Sequence, residues 1–149
     1  MCLFTKDKFP REALSKIYVY KVLLSQFIGL DKNNIYMYRY LSPFTRDYQY
    51  NYGINEPVRA GEEKDYYSVE DINYASGDGG YLRFVDTGWL HVFTVEKEAY
   101  ALCNKFKERY PGLDFVVFKM YIPEHANYYL SENGFEICSN RLVCLSKCM

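Results

Sequence analysis

Two lysines stand where lysine is hard to keep. Lys21 lies in Val19-Tyr20-Lys21-Val22 and Lys119 in Val117-Phe118-Lys119-Met120, each a lone cation in an apolar run. An ammonium taken out of water is costly unless it is paired or gives up its proton. If both runs are central strands, the two cations ask for acids or for an anionic ligand such as a phosphate or carboxylate. The plainer alternative is an open sheet face, from which both side chains snorkel into water. His91 sits in the short run Leu90-His91-Val92-Phe93. It has the chemistry of a general base or of a donor to a ligand. An edge-strand histidine with a local hydrogen bond fits the same pattern. His125, in Ile122-Pro123-Glu124-His125-Ala126, reads as a turn residue.

Aromatic and arginine chemistry points the same way. The chain carries 17 tyrosines and a single tryptophan, Trp89. Tyr48, Tyr50 and Tyr52 alternate with polar residues and so share one face of an extended strand. With Trp89 they could stack on a planar ligand, while Arg39, Arg46 and Arg83 clamp its phosphates. Ordinary protein interfaces use the same side chains. The expected contacts to a small anionic, nucleotide-derived ligand are therefore Lys21, Arg46, Tyr48, Tyr50, Trp89, His91 and Lys119.

Enzymatic readings find less support. No Gly-x-Ser-x-Gly elbow is present. Cys103 falls on the packed face of a helical pattern, which leaves His91 without a thiol partner. Cys138, Cys144 and Cys148 do not follow a zinc-ligand spacing. No catalytic residue, metal or cofactor is expected. Five cysteines, an odd number, read as reduced thiols of a cytoplasmic protein. Net charge is −1, so no global field favours a nucleic acid duplex or an acidic membrane surface. No apolar run reaches membrane-spanning length, and the first residues carry no signal-peptide pattern.

The elements that must position these residues follow from periodicity. The 149 residues suit one domain. Residues 1–16 read as an arm or a short helical turn around Arg11 to Lys16. Ile17–Leu24 and Asp114–Pro123 are the two strong strands, apolar on both faces and hence central. Residues 25–34 read as a loop and Ile35–Tyr40 as a strand that returns beside the first. Residues 54–80 form a long polar insert, with a helical turn at Ser68 to Ile72. Tyr81–Val85 and Leu90–Phe93 are strands. Thr94 then caps a helix over about 95–110, with Val95, Ala99, Leu102, Cys103, Phe106 and Tyr110 on its apolar face. Pro111-Gly112 ends it. Ala126–Leu130, an Asn133-Gly134 turn and Arg141–Leu145 close the chain in a hairpin-like ending. The sum is an α+β domain: a mostly antiparallel or mixed β-sheet with one main helix packed on it.

Several short motifs, in this order, carry a resemblance. Met1-Cys2-Leu3-Phe4, Tyr20-Lys21-Val22-Leu23, Ser42-Pro43-Phe44, Gly88-x-x-His91-x-Phe93 followed by Glu98-Ala99, and Lys119-x-x-Ile122-Pro123 with Tyr128-Tyr129 run through most of the chain. In these the chain resembles a group of small uncharacterised proteins of Bacteroidetes and their phages. That group has no settled activity, so the resemblance carries over no catalytic residue. It implies a cytosolic accessory protein, phage-encoded, in a setting where counter-defence is a common job; a small-ligand binder that sequesters a host immune signal fits that setting. The insert at 54–80 departs from the shorter members. Three functions follow as expectations: the small-ligand binder, a protein-binding inhibitor or structural module with a tyrosine-rich interface to a host protein, and an enzyme like the ADP-ribosyltransferases. Homo-oligomerisation is compatible with the first two.

Overall fold

The computed structural model describes residues 2–7, 9–43, 52, 57–59, 66–75, 81–87 and 89–148. In chain order these form β1 (Cys2–Thr5), β2 (Arg11–Glu12), β3 (Ile17–Leu30), β4 (Tyr36–Leu41), β5 (Pro57–Arg59), β6 (Tyr66–Ala75), β7 (Tyr81–Thr87), β8 (Leu90–Phe93), α1 (Glu96–Arg109), β9 (Asp114–Ile122), β10 (Asn127–Leu130), β11 (Glu136–Ser139) and β12 (Arg141–Lys147). Every strand pairing is antiparallel. A nine-stranded sheet has the order β2-β10-β11-β8-β3-β9-β12-β5, with β4 also paired to β3. A three-stranded sheet has the order β1-β7-β6. The architecture is the expected α+β, with one helix against the large sheet.

The two lysine-bearing strands make the spine. β3 and β9 pair from Ile17↔Ile122 to Ser25↔Asp114 without a break. Their β-branched and aromatic residues suit a pleat buried on both faces. On one face Val19, Leu23, Phe118, Met120 and Ile122 join Leu90, Val92, Ile137 and Leu142 in the larger core. On the other, Val22, Phe115 and Val117 pack under Ala99 and Cys103 of α1. Each fully buried Leu, Ile or Val contributes roughly 1.5–3 kcal/mol. A third cluster joins Leu3 of β1 to Trp89, Tyr129 and Cys138, so the first strand of the small sheet covers the large sheet beside the helix. Thr5 Oγ1 donates to the Leu130 carbonyl at 2.5 Å and Asp7 accepts the Leu130 N–H at 3.1 Å, which ties that strand to β10.

Helix α1 carries Glu96 and Glu98 in its first turn and Lys107 and Arg109 in its last, as the helix dipole favours. Its apolar face is narrower than the pattern suggests. Ala99 and Cys103 are buried and Leu102 and Phe106 partly so, whereas Val95 and Tyr110 are exposed. Thr94 is not the cap. Val95 holds that position, and the Thr94 hydroxyl instead donates to the Gly134 carbonyl at 2.6 Å.

Other expectations need correction. Residues 25–30 are not a loop: they continue β3 and pair with β4. The polar stretch there holds only the turn, where Asp31 Oδ1 accepts the N–H groups of Asn33 and Ile35 and Asn34 takes φ 61°. Residues 2–5 and 11–12 are strands rather than an arm or helical turn. Ser68 to Ile72 lies inside strand β6 rather than in a helical turn; Ser68 and Val69 pair with β7, and the register then shifts before pairing resumes at Tyr74. The ending is not one hairpin. β10 pairs with β11, while β12 crosses to β9 and β5. His125 is a turn residue with φ 71° whose N–H bonds the Ala13 carbonyl at 2.8 Å.

Candidate functional site

Strand alternation separates the residues expected to converge. Lys21 is opposite Phe118 and Lys119 opposite Tyr20 in the β3–β9 ladder. Side chains facing one another across a ladder share a face, and neighbours along a strand do not. The two lysines therefore point to opposite faces. Lys21 lies with the larger core and Lys119 on the helix side. His91 is opposite Cys138 and two residues from Phe93, which packs on the helix-side cluster. Its ring lies on the side of Trp89 and away from Lys21. Lys21 and His91 still touch, but through the main chain. The Lys21 ammonium, 1% exposed, donates to the His91 carbonyl oxygen at 2.6 Å.

The backbone explains that contact. β8 pairs with β3 at Tyr20↔Phe93, and β4 takes over the same edge of β3 from Leu24↔Leu41 onward. Lys21 stands where one neighbour gives way to the other, and its ammonium reaches the β8 carbonyl across that junction. The Tyr52 ring lies 5.9 Å from the ammonium, at the outer limit of a cation–π contact. Lys21 thus has a structural part in closing the sheet. Arg46, Tyr48 and Tyr50 lie outside the described residues. Tyr52 is buried, and its N–H bonds the Tyr40 carbonyl at 2.9 Å.

Lys119 has a different setting. Its ammonium lies 4.9 Å over the Tyr18 ring, and Lys16 lies 4.7 Å over Tyr121. Tyr18 and Tyr121 meet edge-on at 6.4 Å. Near one end of these strands a groove of about 310 Å³ is lined by Tyr100, Cys103, Lys107, Phe115, Lys147 and Cys148, with Asp114 at its side. Burial pushes the Cys103 thiol up; Lys107 opposes this and Asp114 adds to it. Burial and Glu96 push Cys148 up, against Lys119. Raised thiols are protonated at neutral pH and make poor nucleophiles. Among the described residues no group of His, Cys, Asp and Glu is placed to hold a metal ion.

The feature that sequence reading missed is the arm formed by β3 and β4 past the sheet. β9 leaves β3 at Ser25, yet β3 runs on to Leu30 with β4 alongside. Phe27, Ile28, Leu30, Ile35, Tyr36, Met37 and Tyr38 are between 38% and 67% exposed there. The register pairs Phe27 with Tyr38 and Leu30 with Tyr36, with a bulge at Ile28 and Gly29 at φ +139°. The bulge shifts the alternation by one, so Phe27, Leu30, Tyr36 and Tyr38 line one face. Phe27 meets Tyr36 and Tyr38 edge-on at 5.5 and 5.9 Å. Tyr40 continues the stripe inward onto Phe118 at 4.8 Å. Arg39 is on the opposite face, where its Nε donates to Gln26 at 2.6 Å. The signal available in sequence was Ile35-Tyr36-Met37-Tyr38-Arg39-Tyr40, apolar at nearly every position without being buried.

No protein-family model matches the chain, and no curated protein or solved structure matches it either. Among the described residues no helix is long and apolar enough to cross a membrane.

Proposed function

We propose that this chain is a non-enzymatic binding module whose working surface is the β3–β4 arm and whose partner is a protein. One observation carries the reading: seven apolar side chains stand at least one-third exposed on a two-stranded projection. An exposed apolar patch of more than a few hundred Å² marks an interaction site in a folded protein. Tyrosine and phenylalanine are the residues that dominate such contacts. The resemblance to phage proteins gives the module a setting, in which the partner is a host component and binding inhibits it. Hydrogen exchange of the complex tests the reading. Amides of residues 26–41 should gain protection when the partner binds, and Tyr36→Ser with Tyr38→Ser should abolish capture. Protection elsewhere, with the arm exchanging as before, would remove the arm from the interface.

A small anionic, nucleotide-derived ligand is the second reading, and the helix side of the sheet favours it. There Lys107 and Lys147 line the groove, with Asp114 beside them, and farther along the same face Lys16 and Lys119 lie over tyrosine rings. A groove of about 310 Å³ falls at the small end of the volumes that hold organic ligands. Titration calorimetry with ADP-ribose and with cyclic nucleotides tests this reading. Heat that vanishes in Lys147→Ala supports it, and the absence of heat with all of them rules it out.

A further inference from the structure

We propose that the open end of the sheet's helix-side face binds single-stranded nucleic acid. Tyr18 and Tyr121 stack on its bases, and Lys16, Lys119, Arg59 and Arg141 hold its phosphates. The site stands apart from the arm, and either can exist without the other. It begins where the cover on that face stops. Helix α1 lies over Val22, Phe115 and Val117, and β1 lies over Trp89, Tyr129 and Cys138. Beyond them β3, β9, β12 and β5 run side by side. Tyr18 is 53% exposed there, although β3 is a central strand.

Register sets the site in rows. Tyr18 is opposite Tyr121, and Tyr121 is opposite Val143. Lys119 is opposite Tyr20, one row nearer the helix than the tyrosine pair. Arg141, two residues from Val143, stands one row beyond the pair and is opposite Arg59. Lys16 precedes Ile17, the partner of Ile122, and so belongs to that same outer row. Successive rows on one face are about 7 Å apart, and neighbouring strands about 4.8 Å. Two rings are thus bracketed by cations on both sides. Among the described residues no Asp or Glu shares these rows, and no carboxylate pairs with any of the four cations. Like charges directly opposite in a ladder are destabilising. Arg59 and Arg141 are so placed, and an anion between them replaces that repulsion with charge-assisted hydrogen bonds.

This pattern selects the ligand. It asks for a chain that alternates anionic and flat groups over a short repeat, as a nucleic acid strand does. Sheet-based RNA-binding modules stack two or three bases on aromatic side chains in this way. A duplex keeps its bases stacked on one another, out of reach of the rings. An acidic peptide meets the cations but offers the rings nothing flat. A mononucleotide fills one ring and leaves the other bare. The ammonium groups of Lys119 and Lys16 lie 4.9 and 4.7 Å over the Tyr18 and Tyr121 rings. Such exposed cation–π contacts are weak beside base stacking, so the bases take the rings and the lysines turn to the phosphates. With a net charge of −1 the chain as a whole does not steer the strand, and affinity comes from this local contact.

Fluorescence polarisation of fluorescein-labelled U12 and dT12 with the full chain tests the proposal. One or both should bind, and either polymer supports it. UMP, with a single base, should compete roughly five- to 150-fold more weakly, the range for one lost stack. Tyr18→Ser and Tyr121→Ser should each lower affinity by a similar factor, and phenylalanine at either position should restore it. Arg141→Gln should reduce the slope of log affinity against log salt by about 0.7, the value for one phosphate of a single strand. Lys105→Gln, an equal charge change on the exposed side of α1, should leave affinity and slope as in the wild type. Circular dichroism melts verify that the variants are folded. No binding of either oligonucleotide at ~100 µM chain overturns the proposal. So does affinity unchanged in the double serine variant, or a duplex of the same length bound as tightly. Displacement by polyglutamate as readily as by unlabelled oligonucleotide overturns it in favour of an acidic protein. None of these measurements involves residues 26–41, so capture of a protein by the arm stands or falls on its own experiment.

Discussion

Replacing Lys21 by alanine and by methionine separates the two things this side chain does. Its stem is buried opposite Phe118 on the face of the larger core, and its ammonium donates to the His91 carbonyl at 2.6 Å. Alanine deletes three methylenes, at about 0.8 kcal/mol each, or roughly 2.4 kcal/mol. It also removes the donor, and a buried carbonyl deprived of one costs about 1–3 kcal/mol. Removing the ammonium gives some of this back, because a buried ion no longer has to be desolvated. Methionine removes the donor and the charge but fills the space of the stem. The difference between the two variants therefore isolates the packing contribution, with alanine the less stable by roughly 2.4 kcal/mol. For a chain of this length that difference is about 5–10 °C in Tm. Urea denaturation of the two variants, with calorimetric melts alongside, measures it. Equal stabilities within about 0.5 kcal/mol would refute the claim that the stem is a core residue, and with it the account of how β8 and β4 share the edge of β3.

Other outcomes follow from the same structure. Burial pushes the thiols of Cys138 and Cys144 up from 9.0 to about 12. Because the folded state keeps protons that the unfolded chain releases, their contribution is intact below pH 9 and is lost as pH rises toward 12; stability measured by urea should fall across that window. In native protein at pH 8 both should resist thiol reagents, while the half-buried Cys148 reacts before either of them. The Glu136 carboxyl is raised from 4.5, chiefly by burial and also by Glu98, so its stabilising proton is lost as pH climbs past that value. Glu136→Gln should consequently raise the melting midpoint at pH 7, by the equivalent of no more than about 1 kcal/mol, and have no effect at pH 3.5. Thr94→Ala, which deletes the hydroxyl tie to Gly134, should cost about 1 kcal/mol in urea denaturation.

The spine of the fold was legible in sequence because its physics is local. β3 and β9 are long, rich in β-branched and aromatic residues, and apolar on both faces, which only a central strand requires. Helix α1 was legible from its acidic start, basic end and Pro111-Gly112 stop. The errors lie where a tertiary partner decides the conformation. Ser25 to Leu30 contains Gln26 and Gly29 and looks like a loop until β4 pairs with it. Ser68 to Ile72 is acidic and looks like a turn, yet it lies within β6, which β7 pairs on either side of a register shift, at Val69 and again at Tyr74. Thr94 has the right chemistry for a cap, yet its hydroxyl bonds the Gly134 carbonyl and Val95 takes the cap position. The two lysines were correctly seen as strange in their strands. Their relation was not visible, because a one-residue offset between β3 and β9 decides which face each occupies.

The arm is not hinged to the domain, because it is made of the same strand. β3 passes from the sheet centre to the arm over 14 residues, and its pairing with β9 on one edge overlaps its pairing with β4 on the other at Leu24 and Ser25. Whatever docks on Phe27 or Tyr36 meets a surface whose backbone was ordered when the domain folded. Little chain entropy is left to lose on docking beyond side-chain rotamers, at about 0.5–1.5 kcal/mol for each mobile one, and tyrosine with its two torsions is among the cheaper to immobilise. A modest aromatic stripe on such a preorganised strut can bind more tightly than the same residues would on a flexible loop.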